Sequence, residues 1–242
     1  SFVIVFWFSN QLSVRYFSIF SLDTYRVKEI FRVGLPAALE QIIFQIGITA
    51  FLILVAYYGT EAYAAYGIGV QILSFSFVIG FGFSIAGATL VGQHLGAQNK
   101  DQAKRAGWGA MRLSIISMTF FGVLITVFAE PLARYMIDND EVVRLTVIFI
   151  WLLGSMQPLM AIEFSLGGAL RGAGDTKTPL AITLTCLLFI RVFLAVIFFL
   201  LDARIEIIFS TLVADYVVKG FLYVARFRSD RWMNAIKSKE AG

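Results

Sequence analysis

Residues Gly167–Pro179 read GGALRGAGDTKTP. Small residues close one segment, a short charged glycine-rich turn follows, and a proline opens the next. Apolar runs flank it on both sides, roughly Val142–Leu170 before and Pro179–Leu201 after. A helix needs about 20 apolar residues to cross the hydrocarbon of a bilayer. The turn therefore joins two membrane helices on the cytoplasmic side, and a soluble site is excluded here.

Composition agrees with that reading along the rest of the chain. Apolar residues make up 59% of the 242 and charged residues 15%, whereas a soluble domain averages about 45–50% apolar and about 25% charged. Open strands are excluded, because lipid cannot satisfy the backbone groups of a sheet edge. Outward from the quoted turn the spacing predicts six spans: Leu35–Tyr58, Ala62–Leu95, Ala103–Phe128, Val142–Leu170, Pro179–Leu201 and Ile205–Tyr223. Ser1–Ser9 reads as the truncated end of a preceding membrane helix. Residues 10–33 read as a cytoplasmic linker, with an interfacial amphipathic helix over Leu22–Val33 that sets Tyr25, Ile30 and Val33 among charges. Residues 34–227 form the bundle and 228–242 a cytoplasmic tail. The fold class is all-α integral membrane, a six-transmembrane-helix bundle.

Charge placement gives the orientation. Arg26, Lys28 and Arg32 precede the first full span; Lys100, Lys104 and Arg105 follow the second. Arg171 and Lys177 follow the fourth, and Arg226, Arg228 and Arg231 follow the last. The alternate loops, Gly59–Glu61, Asp138–Glu141 and Asp202–Arg204, are short and poor in cations. The positive-inside rule places the basic loops and the C-terminus in the cytoplasm. The lone Cys186 excludes an internal disulfide or a Cys-based metal site, and the lone His94 a histidine cluster.

Four segments resemble the multidrug and toxic-compound extrusion (MATE) transporters. Gly34–Gln41 (GLPAALEQ) is similar to the start of the family's seventh helix. Ala86–Trp108 (AGATLVGQHLGAQNKDQAKRAGW) is similar to the helix end and turn one helix later. Leu170–Pro179 is similar to the loop after the tenth, and Arg226–Trp232 (RFRSDRW) to the C-terminal end of many bacterial members. The resemblance implies the C-terminal six-helix lobe of a twelve-helix protein in a bacterial inner membrane. Its partner would be a missing N-terminal lobe, and the cavity between lobes would hold small cationic or amphipathic drugs. It implies antiport coupled to H⁺ or Na⁺, with no organic cofactor, no nucleic acid and no enzymatic role. Two other readings stay open: a lipid-linked precursor flippase of the wider superfamily, and a non-transporting membrane subunit.

The candidate residues follow from depth in the apolar runs. Glu40 and Glu163 are the deepest acids, and an ionisable group inside a membrane helix is functional by default. No basic residue lies within helical reach of Glu163 along Leu145–Leu170, so only water, a cation or another helix can compensate it. The resemblance puts the family's acidic positions at Phe44 and Met160, neither acidic here. Glu40 and Glu163 are then either a displaced version of that site or unrelated to it. Gln41, Gln45, Gln71 and Gln157 either line a cavity or hydrogen-bond between helices, and Pro158 marks a hinge beside Gln157. Arg191 is expected to pair with Asp215 or the cavity lining, and Lys219 is four residues beyond Asp215. Arg171, Asp175 and Thr176 form the loop signature, with Asp175 and Thr176 expected to cap the next helix.

Overall fold

A computed structural model describes residues 24–234 of the chain. The expected truncated span Ser1–Ser9, most of the linker and the end of the tail lie outside the described residues. Two units divide at Leu35 and Pro36. In the first, the described residues are the opening turns of helix α1 (Thr24–Ala56), which runs through Pro36.

The second unit continues with α2 (Thr60–Gly96), α3 (Lys100–Val127), α4 (Ala129–Met136), α5 (Asp140–Ser155), α6 (Gln157–Gly172) and α7 (Lys177–Thr185). A π-helical turn (Cys186–Val192), α8 (Phe193–Leu200), α9 (Ile205–Arg228) and a 3₁₀ turn (Arg231–Asn234) complete it. Among the described residues there is no strand. Five helical stretches are long and apolar enough to span a membrane, and the pair α5–α6, bent by 54°, makes a sixth. The protein is a multi-pass membrane protein. The fourth expected span is thus broken in two: Met156 ends α5, and Gln157–Pro158 begin α6, because proline suits a first helical turn and not an interior one.

Helix α4 falls between the expected third span and the Asp138–Glu141 loop, in residues to which the sequence reading assigns no element. Its signal is Glu130 and Arg134, four apart and joined at 3.0 Å.

The bundle is built with small residues inward and large apolar ones outward. On α2 the buried positions are Ala62, Ala65, Gly69, Leu73, Ser76, Gly80, Ser84, Gly87 and Val91, spaced by threes and fours. On α3 they are Ala103, Gly107, Ala110, Ser114, Met118, Gly122 and Ile125. Phe75, Val78, Ile85, Ile116, Phe120 and Phe221 point outward. Lipid tails are as apolar as leucine, so helices associate by close backbone approach instead of by excluding apolar surface. Helices α2 and α6 approach most closely: a Cβ added at Gly168 would meet the carbonyl of Ser84, and one at Gly172 the carbonyl of Ala88. At the same end of the bundle, Trp232 folds back onto α9. Its ring stacks on Phe227 at 4.6 Å, and its Nε1 donates to the Phe227 carbonyl at 2.8 Å.

Candidate functional site

The glycine-rich turn shapes one end of the site. Gly174 adopts a φ of 78°, where a side chain would be strained. This lets the Asp175 amide fold back to the Leu170 carbonyl at 2.9 Å, closing α6. Asp175 then opens α7, its Oδ1 accepting from the Thr178 amide and hydroxyl. Its Oδ2 accepts two bonds from Arg226 of α9, at 2.9 and 2.6 Å. The expected capping by Thr176 does not occur. Its side chain is buried and makes no capping bond, because Asp175 one residue earlier already takes that role.

Arg171 leaves the turn and reaches back into the bundle. Its Nη1 donates to Glu40 Oε1 at 3.0 Å and Oε2 at 3.2 Å, and its Nη2 to Ser84 Oγ at 3.3 Å. Thr183 of α7 donates to the same Glu40 carboxylate. Four helices, α1, α2, α6 and α7, thus meet at Glu40, which is buried. Arg171 is an internal counter-charge and not only a loop residue.

A second set of charges continues inward. Asp215 and Lys219 lie on one face of α9, and Arg191 reaches them from the π-helical turn. A π turn carries one extra residue per loop of helix and shifts the side chains that follow, so such turns often sit at functional positions. Arg191 Nη2 lies 2.6 Å from Asp215 Oδ2, though the approach is not aligned as a hydrogen bond. Lys219 Nζ sits 3.3 Å from Asp215 Oδ2 and 3.4 Å from Glu163 Oε1, again without a hydrogen bond. The ring of Tyr216 lies under both cations and that of Phe44 faces Lys219.

Glu163 is therefore not the uncompensated acid that its own helix implied. Its cation comes from α9, across the bundle. It is also the most open member of this set, with 20% of its side chain exposed while Lys219 and Asp215 are fully enclosed. Glu40 and Glu163 lie within electrostatic reach of one another, so the two sets form one cluster. Three acids (Glu40, Glu163, Asp215) face three bases (Arg171, Arg191, Lys219), and with all six ionised the net charge is zero.

The glutamines divide. Gln41, Gln45 and Gln71 are exposed. Gln157 is fully buried and hydrogen-bonds between helices, one of the two readings open to it. It accepts from Ser76 at 2.6 Å, and Gly122 leaves room for its stem. Its place is the break between α5 and α6, where it ties the start of α6 to α2. An open groove of about 500 Å³, lined by Lys177, Thr178, Thr185 and Leu222 among others, includes none of the six charges.

These features define a polytopic helical membrane lobe organised around a balanced internal charge cluster. A family model described as MatE matches residues 36–197, and the chain belongs to that family, the MATE transporters. It is 35% identical over 214 residues to a probable multidrug resistance protein NorM of Thermotoga maritima, covering 85% of this chain and 44% of that protein. The fold is similar to that of the eukaryotic MATE transporter AtDTX14, with a TM-score of 0.83 and 20% identity over 99% of this chain and 54% of that one. It is also similar to the MATE transporter ClbM, solved in complex with Rb⁺, with a TM-score of 0.80 and 21% identity over 88% and 50%. The chain spans about half the length of these relatives.

Proposed function

We propose that this chain is the C-terminal lobe of a cation-coupled multidrug antiporter. It works with a second six-helix lobe in a bacterial plasma membrane, its C-terminus in the cytoplasm. Cationic or amphipathic drugs bind between the lobes, and rocking of one lobe against the other alternates access. The inward ion, H⁺ or Na⁺, biases the two states by binding them unequally. The NorM relative supports the drug reading, and the Rb⁺ complex of the ClbM relative supports a monovalent ion.

The observation that carries the coupling is the position of Glu163. It is the partly exposed end of a buried chain of charges linking α6, α9 and the π turn. Neutralising Glu163 leaves the cluster with one excess positive charge, and a cationic drug then binds less well. Loss of that neutralisation on the other side restores drug affinity. In the two-lobe protein, Glu163→Gln is expected to abolish coupled efflux of a cationic dye in everted vesicles while membrane expression is retained. Wild-type efflux with unchanged pH and Na⁺ dependence would refute the assignment.

A further inference from the structure

We infer that Lys219 is a tethered cation, held where a free metal cation would otherwise sit, so that the coupling ion at this lobe is a proton. The inference deepens the antiporter reading and rests on it. Three features of the ammonium carry it. It lies between two carboxylates, 3.4 Å from Glu163 and 3.3 Å from Asp215. It is fully enclosed, and its three donors make no hydrogen bond. Aromatic faces of Phe44 and Tyr216 lie at 5.9 and 5.6 Å, as a desolvated cation prefers. Charge and π faces hold this group, with no directional bonds, which is how a small monovalent ion is held.

An ammonium is a compact point charge on a flexible four-carbon stem. It can lean toward either acid without leaving the site. Arg191 also contacts Asp215 Oδ2, at 2.6 Å, so Asp215 keeps a counter-charge when the ammonium moves. A second, free cation would meet Lys219 at close range in an enclosed site, where like charges repel far more strongly than in water. Metal entry is therefore disfavoured, while a proton needs no room. The step balances simply. A hydronium ion at the open side gives a proton to a Glu163 carboxylate oxygen and leaves as water. Lys219 keeps its three protons and shifts toward Asp215, and Glu163 later returns the proton to a water molecule on the other side, which becomes hydronium.

The charged and titratable groups around Glu163 fit that sequence. Helix α9 supplies Lys219, Asp215, Tyr216 and Tyr223. The π turn adds Cys186 and, behind Asp215, Arg191. Helix α1 adds Glu40, already neutralised by Arg171. Only Glu163 among the acids combines exposure with a cation that can move away.

The experiment is Na⁺ binding to the purified two-lobe protein, read by thermal unfolding in NaCl against choline chloride at constant ionic strength. It is independent of transport, so a protein that binds as stated but moves no drug would sink the antiporter reading alone. Wild type is expected to show no Na⁺-specific shift. Lys219→Ala is expected to gain a saturable rise of roughly 1–2 °C at about five times Kd. The double variant Lys219→Ala/Glu163→Gln is expected to lose that rise. A Na⁺ shift in wild type that Glu163→Gln removes would overturn the inference, as would a folded Lys219→Ala with no shift. Should Lys219→Ala fold only in Na⁺, the inference stands. Should it fold in neither salt, wild type decides: absence of a Na⁺ shift supports the tethered cation and its presence overturns it.

Discussion

Arg171 and Glu40 stand 131 positions apart in the chain, yet their side chains meet at 3.0 Å inside the bundle. Removing either partner leaves the other charge largely buried and unpaired. Arg171→Ala is expected to cost stability at the lower end of the ~3–5 kcal/mol typical of such losses, since Arg171 keeps some exposure. The neutral pair Arg171→Gln/Glu40→Gln should recover most of it. Thermal unfolding of wild type, Arg171→Gln, Glu40→Gln and the double variant completes a double-mutant cycle, and additive losses would show that the pair is not coupled.

Backbone contact between α2 and α6 makes a second prediction. Gly168→Ala drives a methyl into the Ser84 carbonyl, and no flexible side chain stands there to yield. A loss of ~2–3 kcal/mol is expected, in the range of overpacked cores. Gly109 has open space around its Cβ position, so Gly109→Ala should be neutral or stabilising by up to ~1 kcal/mol. Melting temperatures of the two variants should separate clearly; equal values would contradict the close approach.

Orientation is open to labelling. In a Cys186→Ala background, Ala97→Cys and Asp138→Cys place exposed thiols at opposite ends of the bundle. Both sites avoid Asn99 and Asn139, whose side chains cap α3 and α5. An impermeant maleimide added to intact cells should label position 138 and spare position 97. The reverse pattern would invert the topology.

The break between α5 and α6 should depend on one hydroxyl. Ser76→Ala leaves the enclosed Gln157 amide without the Ser76 donor and is expected to cost ~1–3 kcal/mol. Replacing both groups, Ser76→Ala/Gln157→Leu, should be milder than the single change. A single variant as stable as wild type would mean that the amide has found another partner.

Much of this architecture can be read from local pattern. Apolar runs long enough to span, the alternation of basic and cation-poor loops, and Pro158 at a helix start all act within a few turns. The pairings of the cluster act between helices. Glu163 has no cation within reach along its own helix, and its partner Lys219 arrives from α9, 56 residues later. The spacing of Asp215 and Lys219 is legible, but which acid their free sides face depends on how α9 rotates against α6. The π turn likewise leaves no mark in the sequence, although it carries Arg191 toward Asp215. Arg171 reads as part of the loop signature because it stands beside the glycine-rich turn, yet it belongs to the last turn of α6 and its guanidinium points into the bundle.

The equality of three acids and three bases within the lobe has an electrical consequence. A transmembrane potential acts on net charge, with about 2.3 kcal/mol for each elementary charge carried through 100 mV. With all six groups ionised, the cluster carries no net charge, so its own movement through that field is indifferent to voltage. One added proton makes the same rearrangement carry a full charge. On the proposed antiport cycle, a membrane potential negative inside would favour the inward step of the proton-loaded cluster.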